Sequence, residues 1–154
     1  MSVNVGDVAP AFNLKNQFGE NVQLSDYAGK SAVALVFFPL AFSGICTGEL
    51  CELRDNIEAF KSEGISLIGI SVDSHFAQRA FADHEHFDFP LLADFWPHGD
   101  VARAYGVFVE EAGIANRATF LINKAGHVAA TFITEPGVAR DLTQYREAIA
   151  TLAA

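Results

Sequence analysis

The chain has 154 residues, 51% of them hydrophobic and 19% charged, a globular composition that excludes a disordered or fibrous protein. Its formal net charge of −9 argues against a nucleic-acid partner, because gripping a phosphate backbone needs clustered Lys and Arg. The longest apolar run, residues 32–42, contains Pro39 and is too short to span a bilayer. Residues 1–7 carry neither a basic start nor an apolar segment of secretory type, so the cytoplasm is the expected location and no membrane partner is expected.

The length suits one domain over residues 1–154. In chain order, Ala11–Leu14 and Asn21–Leu24 alternate around Asn16–Gly19 and predict a small hairpin. Ser25–Gly29 reads as a turn or a single helical turn. Ala32–Phe38 is a continuous apolar strand of the kind covered on both faces, and Pro39 ends it. Glu52–Ser62 reads as an amphipathic helix. Leu50, Leu53, Ile57 and Phe60 give its core stripe, with Gly64 as the stop. Ile65–Val72 is a second apolar strand, so strand, helix and strand form a right-handed unit with parallel strands. His75–His86 predicts a helix, Phe89–Leu92 a short strand, residues 94–99 a loop and Asp100–Tyr105 one or two helical turns. Thr119–Ile122 and Val128–Ile133 form a hairpin, and Val138–Leu152 a last helix carrying Leu142, Tyr145, Ile149 and Leu152 on one face. This order implies an α/β fold with helices on both faces of a central mixed sheet, preceded by the N-terminal β-hairpin as an extension.

The two cysteines, Cys46 and Cys51, stand five residues apart. A disulfide closing so short a loop adds little stability, and in a reducing compartment chemistry is the better reading of the pair. Cys46 falls past a strand end and in the first turn of a helix. Backbone N–H groups without intrahelical acceptors and the positive end of the helix dipole meet there. A free cysteine of pKa about 8.5 is roughly 3% thiolate at pH 7, and lowering that value by about two units makes the thiolate the major form. Ser43, three residues earlier, can reach the same pocket or cap the helix. Taken alone, Cys46 fits a buried core thiol equally well, because it shares a stripe with Leu50 and Leu53.

Pro39, Ser43 and Cys46 together match P-x-x-x-[TS]-x-x-C, and on that pattern the chain resembles the peroxiredoxins. Ala9-Pro10-Ala11-Phe12, Asp94-Phe95-Trp96 and Arg117 before the strand Thr119–Ile122 agree with that resemblance. The form of the Pro39–Cys46 segment, with Asp94-Phe95-Trp96-Pro97-His98-Gly99 and Gly113–Arg117, is similar to the alkyl hydroperoxide reductase E branch, near the bacterioferritin-comigratory or Q type. The resemblance implies a thioredoxin-like fold and a thiol-dependent peroxidase acting on hydrogen peroxide and organic hydroperoxides, without metal or organic cofactor. It implies Cys46 as the nucleophile that becomes a sulfenic acid and Ser43 as hydrogen-bonding the peroxide. It implies Arg117 as holding the thiolate and the leaving oxygen, and Pro39 as shielding the pocket. Glu49 matches a position that orients Arg117. It also implies a reducing thiol as partner, either a thioredoxin- or glutaredoxin-like protein or a small thiol. Trp96 with some of the phenylalanines, Phe87, Phe89, Phe95 and Phe108 among them, is expected to form a homodimer surface or an apolar mouth for organic hydroperoxides.

Thr47 stands where many members carry proline, and Ser43 replaces the commoner threonine. No cysteine follows the last helix, so an arm-exchange disulfide is not expected. Cys51 is the candidate resolving thiol. In an intact helix its Cα lies roughly 8–9 Å from that of Cys46, beyond the ~7 Å reach of a disulfide. The helix start must therefore unwind, which Gly48 eases. Cys51 aligns with Asp55, Glu58 and Ser62 and is expected on an accessible face. His84-Glu85-His86 lacks metal-site spacing and reads as a solvated helix end. A peroxide-sensing thiol module with little turnover, or a general thiol–disulfide oxidoreductase, would share Cys46. Ser43 and Arg117 are the features that a sensor need not keep.

Overall fold

A computed structural model of the protein describes residues 3–153, apart from the side chains of Cys46 and Ala153. Among the described residues the strands are β1 (Asn13–Lys15), β2 (Asn21–Gln23), β3 (Ala32–Phe37), β4 (Ile65–Ser71), β5 (Leu91–Ala93), β6 (Phe108–Val109), β7 (Ile114–Ala115), β8 (Arg117–Ile122) and β9 (Val128–Thr134). The helices are α1 (Gly44–Asp55), α2 (Ile57–Lys61), α3 (His75–Glu85), α4 (Asp100–Ala104) and α5 (Leu142–Ala150). Seven strands form one sheet in the order β2-β1-β5-β4-β3-β8-β9, with β3, β4 and β5 parallel and the remaining pairings antiparallel. The N-terminal hairpin is part of this sheet, joined to it where Lys15 pairs with Ala93.

All six residues of β3 are buried, and their alternation divides them between two cores. Ala32, Ala34 and Val36 face a core with Leu50 and Leu53 of α1, Phe60 of α2, Phe81 of α3 and Tyr145 of α5. Val33, Leu35 and Phe37 face the other, with Phe12, Val101, Tyr105 and Phe120. Strands buried on both faces read as unbroken apolar runs, which is why β3 and β4 stand out in the sequence. Gly69 of β4 is small by necessity, since a Cβ there would meet Leu91 at 2.8 Å. Among the described residues no helix is long and apolar enough to cross a membrane.

Two helices differ from expectation. The helix placed at Glu52–Ser62 starts earlier, at Gly44, and breaks at Asn56, where φ is −114° and the side-chain amide donates to the Glu52 carbonyl at 2.8 Å. A local side chain competing for a helix carbonyl is a known breaker. The last helix begins at Leu142 rather than Val138, because Asp141 caps it, accepting from the Thr143 N–H at 2.9 Å while Gln144 accepts from the Asp141 N–H at 3.0 Å. The short hairpin β6–β7 has no counterpart in the sequence reading, since two-residue strands are too short to show a period.

Candidate active site

The carboxyl ends of parallel strands are where α/β sheets build sites, and the segment after β3 lies there. The Phe38 N–H still pairs with the Ile70 carbonyl at 3.0 Å, and then Pro39, buried and without an N–H, takes the chain out of the sheet. The next four residues turn sharply. Phe42 adopts φ +65°, rare for a bulky residue, and its ring lies 5.0 Å from that of Phe81 in α3. The Ala41 N–H donates to the Asp73 carboxylate at 2.8 Å.

Ser43 is the N-cap residue by backbone, with φ −69° and ψ 146°, but its hydroxyl makes no capping bond. It donates instead to the Leu40 carbonyl at 3.0 Å. The capping role expected as one alternative for this hydroxyl is not taken up. The Thr47 N–H to Ser43 carbonyl bond, 2.9 Å, is the first of α1. Cys46 is therefore the third residue of the helix, where the backbone N–H groups of residues 44–46 point past its N-terminal end. Its side chain lies outside the described residues.

One turn further, Glu49 is buried and gathers two arginines. Arg117, the first residue of β8, donates through Nη1 to Glu49 Oε1 at 2.6 Å and through Nε to the Pro136 carbonyl at 2.7 Å. Arg140 donates through Nη2 to Oε1 at 3.0 Å and through Nε to Oε2 at 3.2 Å, and its backbone N–H also bonds Oε2. Arg140 Nη1 continues to Thr119 Oγ1 at 3.2 Å, which donates to the Tyr145 hydroxyl at 3.0 Å. Arg117 is 2% exposed and Arg140 4%, so neither is a surface arginine. Burial pushes the Glu49 carboxyl up, but hydrogen bonds and charge from Arg140, then the charge of Arg117, outweigh it and hold the carboxyl below the ordinary range. Two guanidiniums face one carboxylate, so this buried trio carries net positive charge at the second turn of α1.

Cys51 corrects an expectation. It is half-buried against the core rather than on an accessible face, and its thiol donates to Glu85 Oε1 of α3 at 3.2 Å. Burial, then this hydrogen bond, push the thiol up. The reason is tertiary: Glu85 at the end of α3 meets Cys51 and Arg54 of α1, while Asp55, Glu58 and Ser62 stay exposed. Glu85, read as part of a solvated end, is thereby engaged, while its neighbour His84 is exposed and pairs with it at 2.6 Å. Cys46 and Cys51 share one unbroken helix.

Arg140, Thr119 and Asp73 were not singled out from the sequence. Arg140 sits 91 residues from Glu49, inside the stretch expected as the last helix, where a lone arginine looks solvated. Asp73, two residues past the end of a parallel strand and directly before the helix-capping Ser74, had a usable signal in its position. Among the described residues, no group of three or more His, Cys, Asp or Glu is placed to hold a metal ion.

Residues 5–131 match the AhpC/TSA family. The chain is 46% identical over 152 residues to alkyl hydroperoxide reductase E of Mycobacterium tuberculosis, covering 99% of each. It is 35% identical over 136 residues to peroxiredoxin Bcp of Escherichia coli, covering 84% of this chain and 85% of the relative. Among solved structures it is similar to AhpC of Enterococcus faecalis, with a TM-score of 0.89 at 25% identity, covering 99% of this chain and 93% of that one. Peroxidoxin BcpB of Mycobacterium tuberculosis superposes with a TM-score of 0.85 at 32% identity, covering 98% and 97%.

Proposed function

Since the chain belongs to the AhpC/TSA family of peroxiredoxins, with their thioredoxin fold, and is a thiol-dependent peroxidase, we propose that Cys46 is the peroxidatic cysteine and that Ser43, Arg117, Glu49 and Pro39 form its site. The Cys46 thiolate attacks one oxygen of the hydroperoxide. An S–O bond forms, the O–O bond breaks, and the leaving alkoxide or hydroxide takes up a proton to depart as alcohol or water. Sulfur is oxidised to the sulfenic acid and the peroxide oxygens are reduced. Hydrogen peroxide and organic hydroperoxides both fit this step.

The observation that carries the reading is the buried trio of Glu49, Arg117 and Arg140, two guanidiniums on one carboxylate, in the turn of α1 after Cys46. A buried cation excess favours an anion beside it, first the thiolate and then the departing oxygen. Ser43 has its proton committed to Leu40, so its lone pairs accept from the peroxide O–H. Glu49 orients Arg117, and Pro39 keeps water from the strand end. A second thiol then reduces the sulfenic acid. Cys51 is the internal candidate, and a thioredoxin- or glutaredoxin-like protein or a small thiol is the external reductant. We assign the work to the cytoplasm, a reducing compartment in which both cysteines stay thiols between turnovers.

We also assign residues 1–154 to one domain, since a single sheet runs between both cores. A second copy of the chain is proposed to cover Phe76 and Trp96, 75% and 81% exposed beside the cleft lined by Leu14 and Phe95.

Stopped-flow oxidation of wild type, Cys46→Ser and Cys51→Ser with hydrogen peroxide and an organic hydroperoxide tests the assignment. Cys46→Ser should abolish peroxide consumption and Cys51→Ser should leave the first oxidation rate intact. Retained turnover in Cys46→Ser would overturn it.

A further inference from the structure

The loop between β3 and α1 is not held by its own residues alone. The Ala41 N–H and the Ser71 hydroxyl both donate to the same oxygen of Asp73, Oδ2, at 2.8 and 2.5 Å. Ser71 is fixed in turn by Gln78 of α3, whose Nε2 donates to Ser71 Oγ at 2.7 Å and to the Leu92 carbonyl at 3.1 Å. Gln78 is fully buried, so this chain is anchored between α3 and β5. Asp73 thus reaches from the end of β4 to the neighbouring strand's loop and holds one backbone N–H there.

The residue after Ala41 has a costly backbone conformation. Phe42 sits at φ +65°, which a bulky residue adopts only when its surroundings impose it. Two grips impose it: the Asp73 carboxylate on Ala41 before it, and the rings of Phe81 and His84, 5.0 and 6.1 Å from the Phe42 ring. The turn so formed brings the Ser43 hydroxyl back to the Leu40 carbonyl. With the Ala41 bond gone, Phe42 loses one of its restraints and can relax toward negative φ. That relaxation swings Ser43.

We propose that Asp73 is a positioning residue for the peroxidase reaction: by holding the Ala41 N–H it places the Ser43 hydroxyl where the peroxide binds. The inference rests on Ser43 accepting from the peroxide O–H. In this role the effect of Asp73 should run through Ser43 and not through the ionisation of Cys46.

The test is a double-mutant cycle of Asp73→Ala and Ser43→Ala in a Cys51→Ser background, read as the second-order rate of Cys46 oxidation by hydrogen peroxide. Each single variant is expected to slow oxidation by about 10- to 100-fold, the size of effect a misplaced reacting partner produces. The double variant should be no slower than the slower single one, since residues acting through one another are not additive. Alkylation of Cys46 by iodoacetamide, which reads the thiolate, should stay at the wild-type rate in Asp73→Ala. Asp73→Asn keeps the oxygen acceptor and should recover most of the rate; circular dichroism confirms that each variant is folded. Additive losses, an altered alkylation rate, or an Asp73→Asn variant as slow as Asp73→Ala overturn the inference. A Ser43→Ala variant oxidised at the wild-type rate overturns the role of Ser43 itself. A slow Ser43→Ala beside an unaffected Asp73→Ala overturns only the positioning by Asp73.

Discussion

Arg140 clasps Glu49 twice, with its backbone N–H on one carboxylate oxygen and its guanidinium on both, although 91 residues separate them. The clasp ties the loop before α5 to the second turn of α1, and Arg117 completes it from β8. A carboxylate shared by two guanidiniums in a buried site cannot lose its charge without leaving them opposed.

The first prediction concerns this trio. Removing one partner of a buried ion pair strands the others and costs about 3–5 kcal/mol. Glu49→Ala should therefore lower the urea midpoint by that order of free energy and slow peroxide consumption as well. A variant with an unchanged midpoint would show that the two arginines find other partners.

The pH dependence is set by the direction of the Glu49 shift. Its folded value is depressed, so its contribution to stability is complete above the ordinary value, about 4.3, and is lost as pH falls through the folded one. The stability gap between wild type and Glu49→Gln should be widest at neutral pH and narrow in acid. Unfolding curves on both sides of that range measure it, and a gap independent of pH would contradict the ion-pair account.

Cys51 should be a sluggish thiol in the folded protein. Burial and the bond to Glu85 raise it, so in a Cys46→Ser variant its alkylation should reach half its maximum above the free-cysteine value of about 8.5. Glu85→Gln should bring that midpoint down by removing the facing charge. A midpoint at the free value in both proteins would show that Cys51 is not held by Glu85.

Disulfide formation between Cys46 and Cys51 calls for more than reactivity, because both lie in α1 and Cys51 must leave Glu85. Intact mass after one equivalent of hydrogen peroxide should show a loss of two hydrogens that appears after the sulfenic acid. A persistent sulfenic acid would assign reduction to an external thiol.

Trp96 supplies the last test. Its side chain is the most exposed of the large apolar groups around the cleft near Phe76. Sedimentation velocity should find wild type as a dimer and Trp96→Ala shifted toward the monomer at equal concentration. Identical profiles would remove this face from the dimer.

Strand β3, strand β4 and the placement of Cys46 at a helix start could be read from the chain alone. Each depends on local pattern: unbroken apolar runs, a proline that ends one of them, and a helical stripe beginning near Leu50. Local pattern could not reveal where α1 breaks or where α5 starts, since those limits are set by single side-chain bonds from Asn56 and Asp141. It also misjudged Cys51, which aligns with polar residues in the sequence but is met in space by Glu85 at the end of α3. The partnership of Glu49 with Arg117 and Arg140 lay further out of reach. Its contacts span 68 and 91 residues, and only the pairing of β3 with β8, which sets where Arg117 emerges, and the cap at Asp141, which keeps Arg140 out of the helix, bring three charges to one buried point. Periodicity reports which face of an element is apolar; which charge on one element meets which charge on another is decided by register and packing, and those exist only once the chain has folded.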